Sequence, residues 1–231
     1  MPLTGTIISQ IGAFLDLGGP VVAILLGVSI LSLAVILVKT FQFMRAGVGS
    51  SSRAERAVSL FSAGRAREAY DLALEGRNPT SEAVAQAIDL VMANRLDKPA
   101  VEERLVRLAT ARLHELQSGF RLLDTVAQLS PLMGLFGTVL GMIEAFKKLQ
   151  SAGNAVDPSI LAGGIWVALM TTAVGLAVAM PVSLVLTWFE TRVENERVTI
   201  QTLTTDILTG TTPLVAAQSL REPAGEAQLA N

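Results

Sequence analysis

Charged residues are scarce in this sequence, and the residue types that most often bind transition metals are nearly missing. Only 16% of the 231 residues are charged, against about 25% in an average soluble domain. The sequence has no cysteine and one histidine, His114. The lack of cysteine excludes disulfides, thiolate metal sites and cysteine nucleophiles, and one histidine gives no basis for a histidine metal site or a catalytic triad. We therefore predict no catalytic residue, no metal and no cofactor.

Hydrophobic residues are abundant instead, at 51% of the chain, with a mean hydropathy of +0.50. The net charge of −2 gives no electrostatic reason to expect nucleic acid as a partner. These totals predict an integral membrane protein, and the helical patterns described next place it in the all-α class.

Three apolar runs are long enough to cross the ~30 Å hydrocarbon layer at 1.5 Å per residue. They predict transmembrane helices at 20–39, 122–146 and 160–189. A signal peptide is the alternative for the first run, but no basic segment precedes it and no small-residue cleavage site follows it. In the third run, Trp166 and Trp188 are about 33 Å apart along a helix axis, the spacing of aromatic anchors at the two interfaces of the bilayer.

The distribution of lysine and arginine predicts the orientation of these spans. No basic residue precedes Lys39, thirteen lie from Lys39 to Arg121, Lys147 and Lys148 follow the second span, and three follow the third. Because cytoplasmic loops carry the excess of basic residues, we expect the N-terminus outside and the C-terminus inside. The predicted divisions are a periplasmic segment 1–19, a cytoplasmic helical domain 40–121, a periplasmic loop 147–159 and a cytoplasmic tail 190–231.

The cytoplasmic domain is predicted to be helical throughout. Asn78 has the side chain and position of an N-cap, since Pro79 follows it at the first helical position. A later helix has one predicted buried stripe, formed by Val101, Leu105, Leu108 and Leu116, and we expect it to continue into the second span as one long helix. The tail beyond about residue 212 is predicted to be disordered, and the first twenty residues to form an interfacial helix.

Two spans each carry a stripe of small residues with a hydroxyl in the middle. The helical positions of these stripes are Ser130, Gly134, Thr138 and Gly141 in the second span, with Gly137 beside them, and Ala168, Thr172, Gly175, Ala179 and Ser183 in the third. Small residues allow close helix packing in lipid. The two threonines either fill such a contact or face a polar pore, and periodicity leaves both interpretations open.

A firmer inference concerns proton transfer. No Asp, Glu, His, Lys or Arg lies between Thr125 and Ile143 or between Pro158 and Phe189. An intramembrane proton relay needs a titratable group. If this chain conducts protons, the acid must come from a partner.

The segments "LSPLMGLFGTVLGMIEAF" and "GGIWVALMTTAVGLAVAMPV" resemble the ExbB/TolQ/MotA family of proton-channel subunits, and are most similar to its ExbB/TolQ branch. The resemblance implies a homo-oligomeric ring, usually a pentamer, around a dimer of a single-span ExbD/TolR-like protein whose transmembrane Asp binds the proton. It implies that Thr138 and Thr172 face that Asp. The pattern also contains Ala179 and Pro181, which we assign to helix packing with the glycines.

One position departs from that pattern. Members of the ExbB/TolQ branch have Glu where this chain has Val167 in "IWVAL". This departure predicts either altered ion coupling or a charge placed elsewhere, with Glu144 as the candidate. We accordingly expect the ion pathway to include Thr138, Thr172, Ser183 and Glu144.

The sequence thus supports a proton-driven motor subunit in a bacterial inner membrane that passes motion to a TonB- or TolA-like protein. A non-conducting membrane scaffold, held together by small-residue packing, is the alternative from another class. A flagellar-stator-like channel subunit is an alternative within the family, although the three spans argue against it since MotA proteins have four. No pattern distinguishes H⁺ from Na⁺, and no nucleophile–base pair supports an enzyme.

Overall fold

The computed structural model describes residues 3–93, 98–151 and 158–210, and the side chains of all of these except 3–18, 98, 158 and 160. The described residues form helices and no strand, which confirms the all-α prediction. Three helices contain stretches long and apolar enough to cross a membrane, at Gly19–Ala46, Phe120–Ser151 and Leu161–Thr209. The helices in chain order are α1 (Leu3–Ala46), α2 (Ser52–Ser62), α3 (Ala66–Leu74), α4 (Pro79–Ala93), α5 (Lys98–Gln117), α6 (Phe120–Ser151) and α7 (Pro158–Thr209).

Two glycines with positive φ interrupt helices that the hydrophobic pattern alone would continue. Gly19 in α1 has φ 64° and ψ −166°, directly before Pro20. Gly119 has φ 82° and separates α5 from α6. The prediction of one continuous helix into the second span is therefore wrong. The left-handed conformation, which glycine adopts without a steric penalty, ends the first helix before the second begins.

One compact unit contains the described residues of Met1–Thr40 and of Gly119–Phe189. At one end of it, the Lys39 ammonium nitrogen lies 5.9 Å from the centre of the Phe120 ring, which stacks on Phe189 at 5.8 Å. At the other end, Gly19 borders a cavity together with residues of α6 and α7. The twenty helical steps from Gly19 to Lys39 cover about 30 Å. Within this unit α6 runs antiparallel to α1 and α7, over a length that matches the hydrocarbon layer.

The second compact unit contains the described residues of Phe41–Ser118 and of Glu190–Asn231. Its apolar core includes Val58, Ala69, Ile88, Leu105, Leu203 and Ile207. Residues 190–209, predicted as part of a tail, are helical and contribute to this core. On α5 the predicted buried stripe is correct at Val101, Leu105 and Leu116, but Leu108 is 37% exposed and Leu113 is buried in the same helix. Residues 147–151 of the predicted loop 147–159 are helical and belong to α6, whereas residues 152–157 and the segment beyond 212 lie outside the described residues.

The predicted N-cap of α4 is confirmed. The Asn78 Oδ1 atom accepts a hydrogen bond of 2.8 Å from the Ser81 backbone N–H, which is one of the N–H groups that a helix leaves unpaired at its start. The Asn78 side-chain amide also donates to the Ser50 carbonyl. One side chain thus fixes both the start of α4 and the segment that precedes α2.

A buried carboxylate, which sequence reasoning missed, holds the same region to α7. Glu196 is 3% exposed, and its Oε2 atom accepts the Gly49 N–H at 2.8 Å. Its Oε1 atom accepts the Thr80 N–H at 3.1 Å and the Thr80 hydroxyl at 2.5 Å. The negative charge lies at the N-terminus of α4, where the helix dipole favours it. The burial of Glu196 could have been inferred from its spacing, because it lies on the same helical stripe as Val193 and Ile200, both of which are buried.

Candidate functional site

The three glycines of the second span lie against α7. A Cβ at Gly134 would lie 2.9 Å from the Thr171 carbonyl oxygen, and one at Gly137 would lie 2.6 Å from the Thr171 hydroxyl oxygen. A Cβ at Gly141 would lie 3.2 Å from the Cβ of Ala168. Because glycine has no side chain, the backbones of α6 and α7 can approach closely at Gly134. Small residues permit this kind of close packing between membrane helices.

The facing side of α7 is built from residues that are equally small. A Cβ at Gly175 would lie 2.5 Å from the Ser130 carbonyl oxygen and 3.1 Å from the Cα of Gly134. Ala168 and Ala179 are buried. Pro181, which was also assigned to packing, lies on an exposed position inside α7.

Thr171 is the polar residue at the centre of this contact. The small-residue stripe predicted for the third span did not include it. Its hydroxyl lies 3.1 Å from the Gly134 carbonyl oxygen on α6 and 2.7 Å from the Ala168 carbonyl oxygen on its own helix. Thr171 is 2% exposed. Spacings of three and four from Ala168 to Gly175 admit either threonine, so the sequence pattern could not separate Thr171 from its neighbour.

Thr138 and Thr172, the predicted pore residues, lie beside this contact and are both partly buried. The Thr138 hydroxyl donates to the Leu135 carbonyl of its own helix at 2.6 Å. The Thr172 Oγ1 atom is buried and has no hydrogen-bond partner within the described part of the chain. A buried hydroxyl without a partner loses about 1–3 kcal/mol of hydrogen-bond free energy. Because the chain's own atoms cover this Oγ1 atom, a partner from outside the chain would reach it only after rotation of the Thr172 side chain, which as a whole is partly exposed.

The other predicted pathway residues lie elsewhere on the unit. Ser183 is exposed on α7. Glu144 forms an ion pair of 3.0 Å with Lys148. Glu144 and Val167 line the same cavity, although they are on different helices. The candidate carboxylate therefore lies close to the valine that stands where the ExbB/TolQ pattern has Glu.

The two tryptophans have exposed side chains near opposite ends of the third span. Trp166 is 61% exposed and borders the cavity that contains Glu144. Trp188 is 49% exposed and contacts the edge of Phe189 at 5.2 Å between ring centres. Their role as interface anchors stays a prediction.

These features define a class of protein: a three-span helical membrane protein whose second and third spans form an antiparallel pair through glycine, alanine and threonine. Chemically, the pair offers hydroxyls but no acid or base between Thr125 and Ile143 or between Pro158 and Phe189. It can orient or hydrogen-bond a charge that another molecule brings, and it cannot carry a proton by itself.

The chain belongs to the MotA/TolQ/ExbB proton channel family, whose model matches residues 75–202, more than half of the chain. Biopolymer transport protein exbB1 of Vibrio cholerae is 40% identical over 92 residues, which is 40% of each chain. Tol-Pal system protein TolQ of Pseudomonas aeruginosa is 38% identical over 103 residues, covering 43% of this chain and 44% of that protein. TolQ of Haemophilus influenzae is 43% identical over 79 residues, 34% of each chain. The chain thus spans less than half the length of these relatives.

Proposed function

We propose that this chain is the ring-forming subunit of a proton-driven motor in a bacterial inner membrane, with the N-terminus periplasmic and the C-terminus cytoplasmic. The observation that carries the proposal is the close α6–α7 contact, which has no titratable residue between Thr125 and Ile143 or between Pro158 and Phe189 and has, in Thr172, a hydroxyl without a hydrogen-bond partner in the described part of the chain. Membership of a proton channel family and relatives named ExbB and TolQ support it.

The missing acid determines the kind of partner. A proton crossing the membrane needs a group that binds and releases it, and neither α6 nor α7 supplies one at mid-membrane. A single-span protein of the ExbD/TolR type, with an Asp in its span, would supply the carboxylate. After rotation of its side chain, Thr172 would donate to that carboxylate when the carboxylate is ionised. Thr138, whose hydroxyl hydrogen is directed to Leu135, would accept from the carboxyl group when that group is protonated.

The driving force would be the membrane potential, which contributes about 2.3 kcal/mol per charge per 100 mV. Several copies of the chain, in a ring that we expect to be a pentamer, would surround the partner dimer. Protonation and release at the Asp would move the dimer relative to the ring, and a TonB- or TolA-like protein would receive that motion. Ser183 and Glu144 stay as predicted members of the pathway.

The experiment compares two adjacent threonines. The first step is purification from the native membrane, where a small single-span protein with an intramembrane Asp should co-purify. Thr172→Val should then abolish partner-dependent proton flux into liposomes, measured with a pH-sensitive dye, and leave assembly intact. Thr171→Val is the matched control, since it removes the contact with Gly134 and should lower stability by about 1 kcal/mol. Unchanged proton flux in the Thr172→Val variant would refute the assignment.

A non-conducting scaffold is the second candidate, because the close α6–α7 contact explains the glycines without any ion. This alternative predicts assembly without an acid-bearing partner and no proton flux from the reconstituted complex. A flagellar-stator-like role finds less support, since the relatives quoted above carry ExbB and TolQ names.

A further inference from the structure

A cavity opens where the described ends of α6 and α7 lie close to Gly19 of α1. It has a volume of about 750 Å³, within the range of small-molecule sites. Glu144 and Lys148 of α6 border it on one side, and Trp166 and Val167 of α7 border it on another. It lies at the opposite end of the three-helix unit from Lys39, about 30 Å away along α1, and hence at the level of one membrane–water interface.

Small residues create this space. Gly163 and Gly164 line it on α7, and Gly164 lies so close to Ala145 that no side chain fits between the helices there. At Gly163 a Cβ would meet nothing within 4 Å. The helices are therefore held together at Gly164 while the adjacent turn leaves a space that no side chain of the described residues occupies.

The charges that border the cavity are of both signs. The Lys148 ammonium lies 3.0 Å from the Glu144 carboxylate, and their side chains are 63% and 69% exposed. An exposed pair of this kind contributes at most about 1 kcal/mol, so both groups are available to a ligand at small cost. A purely anionic ligand would face the carboxylate and a purely cationic one would face the ammonium, whereas a zwitterion satisfies both.

We propose that this cavity binds the headgroup of a zwitterionic amino phospholipid, such as phosphatidylethanolamine. The lipid ammonium would bind Glu144, and the phosphate would bind Lys148. The exposed ring of Trp166 and the side chain of Val167 would contact the glycerol and the first acyl carbons. A lipid is favoured over a soluble zwitterion because the cavity lies at the end of the membrane-spanning helices and is bordered by apolar side chains.

The test measures lipids that stay bound to the purified complex by native mass spectrometry, after exchange into equal mixtures of phosphatidylethanolamine and phosphatidylglycerol. The wild type should retain phosphatidylethanolamine in preference. Glu144→Gln and Lys148→Gln should each lower that retention about tenfold, because each removes one charge-assisted hydrogen bond. Lys147→Gln is the matched control, since Lys147 does not border the cavity and should have no effect. Exchanging the two charges, with Glu144→Lys and Lys148→Glu together, should restore retention.

Equal retention in the wild type and the Gln variants would overturn the proposal, and so would a preference for phosphatidylglycerol. The lipid site does not depend on proton conduction, so Thr172→Val should retain the lipid fully even where proton flux is lost. Loss of proton flux in Glu144→Gln with unchanged lipid retention would instead assign Glu144 to the ion pathway.

Discussion

Gly175→Ala tests the close contact between α6 and α7 most directly. The added Cβ would lie 2.5 Å from the Ser130 carbonyl oxygen, so the helices must separate by about 0.9 Å to restore ordinary contact at 3.4 Å. That shift strains the packing and lengthens the 3.1 Å approach between the Thr171 hydroxyl and the Gly134 carbonyl. Together these effects should lower the free energy of unfolding by about 2–4 kcal/mol.

The absence of cysteine makes the measurement simple, because two introduced cysteines can be labelled selectively. Donor and acceptor dyes at Leu122→Cys and Thr187→Cys, both exposed near the same end of the helix pair, would report separation of α6 and α7 during titration with a denaturing detergent. Gly27→Ala is the control, since a Cβ there meets nothing within 4 Å and alanine favours helix. If Gly175→Ala is as stable as Gly27→Ala, the close approach of the two spans is refuted.

Three further predictions concern the second unit and are measured by thermal unfolding or amide hydrogen exchange. Glu196→Ala leaves buried N–H donors unpaired and should lower the free energy of unfolding by about 2–4 kcal/mol. Glu194 is exposed, so Glu194→Ala should lower it by less than about 0.5 kcal/mol. Equal effects of the two substitutions would contradict the buried role of Glu196. Asn78→Ala should cost about 1 kcal/mol and speed exchange at the start of α4. Leu105→Ala should cost about 2–5 kcal/mol, and a similar loss for Leu108→Ala would show that α5 is rotated in solution.

The positions of the spans could be predicted because the requirement is local. A run of about twenty apolar residues satisfies it whatever the rest of the chain does. The same holds for the cap at Asn78, where one side chain bonds an N–H three residues ahead. The break at Gly119 was not predicted, because an isolated glycine inside a helical pattern can be tolerated, and only the structure shows that this one has a positive φ.

What the sequence by itself determined is the membrane character, the three spans, the small-residue stripes and the lack of an internal acid. The tertiary structure decided which side of each stripe faces the neighbouring helix. Helical spacing fixes a face only to within one residue, so Thr171 and Thr172 were interchangeable until α6 was placed against them. It also decided that Glu196 is buried, because a carboxylate can be buried only where distant N–H groups, here of Gly49 and Thr80, are brought to it by folding.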